Sequence, residues 1–243
     1  MSDAQKSLKA VIRKAANALG YEFVRYDLAS PRFRLAKLLA HHRIEMILDV
    51  GANEGHFGWD MRELGYRGRI VSFEPMEEAF ERLAHASAGD ADWKAVHCGL
   101  GDRDEERTIN IAANSQSSSL LPMLEEHRQA APESIYRAEE KVSVRRLDSI
   151  FLDYCRPDDR VFLKIDTQGF ERQVLEGAGA TLRQAALLQL ECSLVPLYEG
   201  ADTIEGLIAL ARTLAYDPVD ILPTFHHREN GHLMQADILF MRR

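Results

Sequence analysis

The spacing of apolar residues along this chain changes at Glu45. Before it, apolar positions recur at the helical interval. Leu8, Val11, Ile12, Ala15 and Leu19 predict an amphipathic helix over Gln5–Leu19 that packs on its apolar face, with Gly20 as its stop. Its polar face carries Lys6, Lys9, Arg13 and Lys14. Ser30 and Pro31, as N-cap and first-turn residue, open a second helix that runs to about His42. After Glu45, short apolar runs alternate with helical segments. Strands are predicted at Met46–Val50, Arg69–Glu74, Trp93–Cys98, Arg160–Ile165 and Ala186–Leu190. Helices are predicted near Gly55–Leu64, from Pro75, near Phe170–Leu175 and over Ile204–Leu214. Such alternation implies an α/β fold with a mostly parallel sheet covered on both faces.

The alternation breaks between the third and fourth strands. Arg107–Ala112 and Lys141–Arg145 read as strands around the polar, loop-like run Ser115–Ser119. The expected organisation is an N-terminal helical extension over 1–44 and one ligand-binding domain over 45–243, with an insertion around 103–146 that shapes a substrate pocket. Tyr216–Leu222 and Ala236–Met241 flank an Asn230-Gly231 turn and predict a closing antiparallel hairpin.

The run ILDVGANEGHFG, Ile47 to Gly58, carries the first chemistry. Asp49 lies in the strand, and Gly51 and Gly55 turn the backbone into a helix whose amides face a ligand. The next strand ends in Glu74, placed to grip two ribose hydroxyls. The spacing is G-x-x-x-G and lacks the middle glycine with which a dinucleotide fold admits a pyrophosphate. Asp49 and Glu54 place negative charge where phosphates would sit. A sulfonium, an ammonium and a ribose without phosphate suit such a pocket, which is the chemistry of S-adenosylmethionine. Asp49, Gly51, Asn53 and Gly55 are expected around its methionine and ribose, Glu74 on the ribose, and Leu100 against the adenine.

Net charge is −8, which argues against a nucleic-acid surface. Cys98, Cys155 and Cys192 are too few and too scattered for a disulfide framework or a C-x-x-C metal site, and fit reduced thiols in a cytoplasmic protein. No transmembrane segment and no secretory signal are expected. A homo-oligomer is left open.

Four stretches, ILDVGANEGHFG, RIVSFEP, VFLKIDTQGFERQVLEGA and LLQLECSLVPLYEG, resemble FkbM-type methyltransferases, a family of class I S-adenosylmethionine-dependent enzymes. The L-K-I-D-x-x-G-x-E pattern from Leu163 to Glu171 is the most specific of these features, and the run Ser117–Leu120 and the late ADILF strand also resemble the family. Members often carry Glu where this chain has Gln168. The resemblance implies a Rossmann-like class I methyltransferase fold: a mostly parallel seven-stranded sheet with a C-terminal antiparallel hairpin, plus N-terminal helices. It also implies methylation of a hydroxyl oxygen on a sugar, glycan or glycolipid, or on a small secondary metabolite.

Methyl transfer to an alcohol needs an aligned acceptor and a group to take its proton. Asp166 and Glu191, at neighbouring strand ends, are the candidate pair. One of them serves as general base, or the pair holds a divalent cation such as Mg2+ that acidifies the hydroxyl, or both are structural and Asp166 orients the cofactor ammonium. Glu171 either joins the site or serves the first turn of its helix. Of His226 and His227, one at most faces the pocket, and His226 is the further candidate base. Ser117, Ser118 and Ser119 are candidates for acceptor contact, with a flexible polar loop as the alternative. Phe57 and Trp59 are expected in the core. Two rival functions remain at this level: a nicotinamide or nucleotide-sugar oxidoreductase, and a non-catalytic scaffold with the same fold.

Overall fold

The computed structural model describes residues 11–12, 14–21 and 24–243. The chain divides into two units, Met1–Leu38 and Leu39–Arg243. In the first, 11–12 and 14–18 are helical, and the start of the predicted helix lies outside the described residues. Of its described residues, Val11, Ile12 and Leu19 are exposed and Ala16 is buried. Helical periodicity signals an amphipathic segment but supplies no surface for it to pack on. The second predicted helix is α1, Pro31–His41, and the division between the units falls inside it.

The larger unit is built on β1 (Met46–Val50), β2 (Arg69–Glu74), β3 (Trp93–His97), β7 (Val161–Ile165), β8 (Ala185–Ser193), β9 (Tyr216–His226) and β10 (Leu233–Arg242). Their order is β3-β2-β1-β7-β8-β10-β9. The first five pair in parallel. β10 lies antiparallel between β8 and β9. The seven-stranded, mostly parallel sheet with an antiparallel C-terminal hairpin is therefore present. β8 continues past the predicted end at Leu190, because the antiparallel partner β10 pairs it as far as Ser193.

Every residue of β1 and β7 is buried. Strands covered on both faces read as continuous apolar runs, and Met46–Val50 and Val161–Ile165 do so except at Asp49 and Lys164. Helices α2 (His56–Glu63), α3 (Glu77–Ser87), α5 (Leu147–Tyr154), α6 (Glu171–Glu176), α7 (Gly179–Leu182) and α8 (Ile204–Thr213) connect the strands. Strand order reverses between β1 and β7, since the chain winds outward through β2 and β3 before returning. Ligands of open α/β sheets bind outside the carboxyl ends at such a switch point.

The insertion forms a second sheet, β4 (Gly99–Leu100), β6 (Tyr136–Arg145) and β5 (Glu105–Ala112), in that order. Between β5 and β6 the chain carries the short helix α4 (Glu125–Ala130). The run Ser117–Ser119 is loop-like as expected but buried, with its hydroxyls engaged inside the protein. Ser118 Oγ accepts a hydrogen bond from the Ala112 amide at 3.0 Å, and Ser119 Oγ donates to the Gln168 carbonyl at 2.7 Å.

The turn after β1 is held by a close backbone approach. Gly51 has φ +75°, and a Cβ there would stand 1.8 Å from the Asp166 carbonyl oxygen. The missing Cβ makes room for the backbone just after β7. Gly55, φ +90°, makes room for helix packing, since a Cβ would lie 2.9 Å from Leu83 Cδ1 and 3.2 Å from Trp93. Replacing Gly51 by Ala should destabilise the protein by at least about 1 kcal/mol in denaturant unfolding, through both overlap and left-handed strain. An unchanged midpoint would contradict the close approach.

Candidate active site

A cavity of about 540 Å3 opens at the β1/β7 switch point. Val50, Gly51, Ala52 and Asn53 line one wall, and Asp166, Thr167 and Gln168 the other. Glu74, Pro75, Met76 and Leu100 border one end. The insertion contributes Ser117, Ser118 and His127, and the terminal hairpin adds Phe225, Gln235 and Asp237.

The floor is an ion cluster. Lys164 Nζ is 3.3 Å from Asp49 Oδ1 and 3.3 Å from Asp166 Oδ2, and packs over the Phe57 ring at 5.3 Å. Asp49 Oδ2 accepts from Ser72 Oγ at 3.0 Å, and Ser72 Oγ accepts from Trp93 Nε1 at 3.0 Å. Burial drives the Asp49 carboxyl above its ordinary pKa, against the pull of Lys164 and Ser72. Burial also opposes charge on Lys164, but Asp166, Asp49 and Asp237 together outweigh it and hold the ammonium charged. Asp49 is wholly buried beneath the cavity and does not line it. Its placement against a cofactor is thus corrected: its contacts are the lysine of the next strand and a serine.

Glu74 is 2% exposed and lines the cavity. Its Oε2 accepts from the Asn53 amide at 2.8 Å and its Oε1 from the Met76 amide at 2.9 Å. Burial pushes it up to about 7, with the two amides pulling the other way. Each oxygen retains a lone pair, so the carboxyl can still accept from a diol. Glu54 lies off the cavity and is ion-paired with Arg82. The carboxyl groups on the cavity wall therefore include Glu74, Asp166, Glu191 and Asp237, and neither Asp49 nor Glu54.

Asp166 Oδ1 accepts from Gln168 Nε2 at 2.9 Å, and the same amide donates to Glu191 Oε2 at 2.5 Å. Gln235 Nε2 donates to that oxygen as well, at 2.7 Å. Burial, then the charges of Asp166, Asp237 and Glu171, push Glu191 well above the carboxylate range. A carboxamide thus bridges the pair expected to hold Mg2+. Among the described residues no group of three or more His, Cys, Asp or Glu is arranged to hold a metal ion. Gln168 is itself fixed by Tyr198, whose hydroxyl donates to its Oε1 at 2.9 Å.

Of the predicted residues, the fold gathers Gly51, Asn53, Glu74, Leu100, Asp166, Glu191, Ser117 and Ser118 around one cavity. Gly55, Ser119 and His226 stand outside it. Ser119 is turned toward Gln168. His226 is exposed at the end of β9. Ser117 Oγ donates to Ser134 Oγ at 3.0 Å, so the serines chiefly tie the insertion together. Glu171 Oε1 accepts from the Thr167 and Gly169 amides at 2.9 and 3.1 Å, which makes it a turn-holding residue away from the cavity. Trp59 is 56% exposed and Phe57 lines the cavity, so neither is core. Sequence reasoning missed Lys164, Gln189, Gln235, Asp237 and His127. Asp237 accepts from Gln189 Nε2 at 2.9 Å, and burial pushes it up to about 7. His127 is held neutral by burial, its pKa lowered to about 4. The repeated spacing Gln-x-acid, in Gln189-Leu190-Glu191 and Gln235-Ala236-Asp237, was the available signal.

Lys164→Met keeps the volume and removes the charge, leaving Asp49 and Asp166 uncompensated. Chemical denaturation should show a loss of about 3–5 kcal/mol. Stability equal to the parent would mean that the ion cluster is not needed.

A sequence model of the Methyltransferase FkbM domain matches residues 49–231. No curated protein matches the chain. Among solved structures, a methyltransferase FkbM from Methylobacillus flagellatus KT aligns at 15% identity and TM-score 0.48, over 80% of this chain and 43% of its own. The chain thus spans less than half the length of that relative. Fibrillarin from Aeropyrum pernix, with natively bound S-adenosyl-L-methionine, aligns at 12% identity and TM-score 0.47, over 81% and 66% of the two chains. A Burkholderia thailandensis 1,6-didemethyltoxoflavin-N1-methyltransferase, with bound S-adenosylhomocysteine, aligns at 14% identity and TM-score 0.45, over 87% and 78%. With most of its length matched and its sheet wound in the class I order, the chain belongs to the FkbM family of S-adenosylmethionine-dependent methyltransferases.

Proposed function

We propose that the protein transfers a methyl group from S-adenosylmethionine to a hydroxyl of a neutral, polyhydroxylated acceptor, a sugar unit of a glycan or glycolipid. One observation carries this reading. Among the described residues lining the cavity there is no arginine, and the only lysine, Lys164, is already flanked by Asp49 and Asp166. The remaining polar lining is carboxamides, hydroxyls, carboxylates and two imidazoles, His56 and His127, and includes Asn114, Gln116, Gln189 and Gln235. Phosphate and nucleic-acid sites need free cationic donors. Sugar hydroxyls need acceptors and amides, which this wall supplies.

The donor set also fits the cofactor. Glu74 offers a buried carboxyl to the ribose, Gly51 and Asn53 flank the turn, and Leu100 and Met76 give apolar surface to a base. Asp166 supplies negative charge for the ammonium. Bound there, the cofactor supplies a methyl group activated by a sulfonium. The protein's part is to hold both partners in line, keep water out and accept the acceptor's proton. Among the described residues no helix is long and apolar enough to cross a membrane.

Calorimetry should detect S-adenosylhomocysteine binding to the protein. Glu74→Gln and Glu74→Ala should each weaken it, the latter by about tenfold or more, as expected for a lost charge-assisted contact. A labelled-methyl screen should find transfer to neutral methyl glycosides and none to sugar phosphates or RNA. Binding of a nicotinamide cofactor instead, or transfer to RNA, would overturn the reading.

A further inference from the structure

β8 and β10 carry the same tripeptide pattern in opposite directions. Asp237 stands directly opposite Glu191 in the antiparallel register. Gln189 and Glu191 share one face of β8, and Gln235 and Asp237 share the same face of β10, because side chains alternate along a strand. All four line the cavity. Each glutamine reaches diagonally to the acid of the other strand: Gln235 Nε2 to Glu191 Oε2 at 2.7 Å, and Gln189 Nε2 to Asp237 Oδ2 at 2.9 Å. The result is a crossed square of two amides and two acids at the acceptor end of the cavity.

The acids are unequal. Both oxygens of Asp166 are engaged, one by Lys164 and one by Gln168. Glu191 receives two amide donors on a single oxygen and is driven toward its neutral form by burial among other carboxylates. A neutral carboxyl carries a proton already and cannot take another from an alcohol. Asp237 receives a single amide, on Oδ2, against the two on Glu191, and no described residue donates to Asp237 Oδ1 or to Glu191 Oε1. The charged groups that face it are Asp166 and Lys164 on β7 and Glu191 on β8, while β9 offers Leu222 opposite.

We propose that Asp237 is the catalytic base, with Gln189 positioning it through Oδ2 and Oδ1 receiving the proton of the acceptor hydroxyl. This rests on the O-methylation reading above. The acceptor O–H bond breaks and its proton moves to Oδ1. The oxygen's electron pair forms the new O–CH3 bond, and the S–CH3 pair returns to sulfur, so a cation and a carboxylate become a thioether and a carboxylic acid. An ionisation near 7 suits the task, since a base works best when its pKa lies close to the operating pH.

Two readouts test this. In full-length protein labelled at aspartate carboxyl carbons and saturated with S-adenosylhomocysteine, one NMR signal should titrate near 7 and vanish in Asp237→Asn. In the same variant, S-adenosylhomocysteine affinity should be unchanged. Methyl transfer to the glycoside found by the screen should fall by about 100-fold or more. The wild-type rate should climb as pH rises through the same ionisation, and the residual rate of the variant should not. A wild-type rate in Asp237→Asn, a signal titrating in the ordinary aspartate range, or loss of S-adenosylhomocysteine binding would each overturn the assignment while leaving O-methylation intact. A parent protein that methylates no hydroxyl would instead sink the reading beneath it.

Discussion

The Lys164 ammonium buried between Asp49 and Asp166 is the interaction on which the rest of this architecture depends. β1 and β7 are the two central strands and are closed to water along their length. A carboxylate such as Asp49 survives there only with a partner, because removing one member of a buried pair leaves a charge with nothing to balance it. In the parallel register Asp49 lies directly beside Lys164. A slip of β7 by one residue would put Lys164 on the opposite face of the sheet from Asp49. The ion pair therefore specifies strand register as well as balancing charge. It also fixes where β7 ends, and so where the Asp166 carbonyl meets Gly51.

The same cluster sets the chemistry above it. One cation serves several acids, so the cavity keeps an excess of carboxyl groups. Glutamine amides satisfy them: Gln168 bridges Asp166 and Glu191, and Gln189 and Gln235 cross between β8 and β10. Buried polar groups demand such satisfaction, and carboxamides provide it without adding positive charge. The outcome is a wall rich in acceptors and poor in free cations. A cationic cofactor and a neutral acceptor are proposed on the basis of that composition. Gln168 fits this scheme, because an acid at that point would add repulsion in place of a donor.

Much of this was legible from sequence, for identifiable reasons. Apolar runs ended by an acid at Glu74 and Asp166 marked strand ends, and alternation with helices implied the parallel sheet. The hairpin followed from its Asn-Gly turn. The partners of those residues were not legible, because they come from distant parts of the chain. Nothing local to Gly51 reveals that its missing Cβ makes room for Asp166, nor that Gly55 accommodates Leu83 and Trp93. Asp49 read as a ligand contact because an acid in a glycine-rich strand end usually faces outward, whereas Lys164 holds it beneath the floor. Ser117–Ser119 read as acceptor contacts or a flexible polar loop, although their hydroxyls are used internally. Asp237 and Gln235 were hidden in a stretch that reads simply as an alternating strand.

A crystal structure with S-adenosylhomocysteine bound tests the central claim most directly. The account predicts the nucleoside at the β1/β7 switch point, its ribose hydroxyls on the Glu74 carboxyl, and Lys164 still lodged between Asp49 and Asp166 beneath it. A nucleoside seated elsewhere, or Asp49 swung up into the cavity away from Lys164, would contradict it.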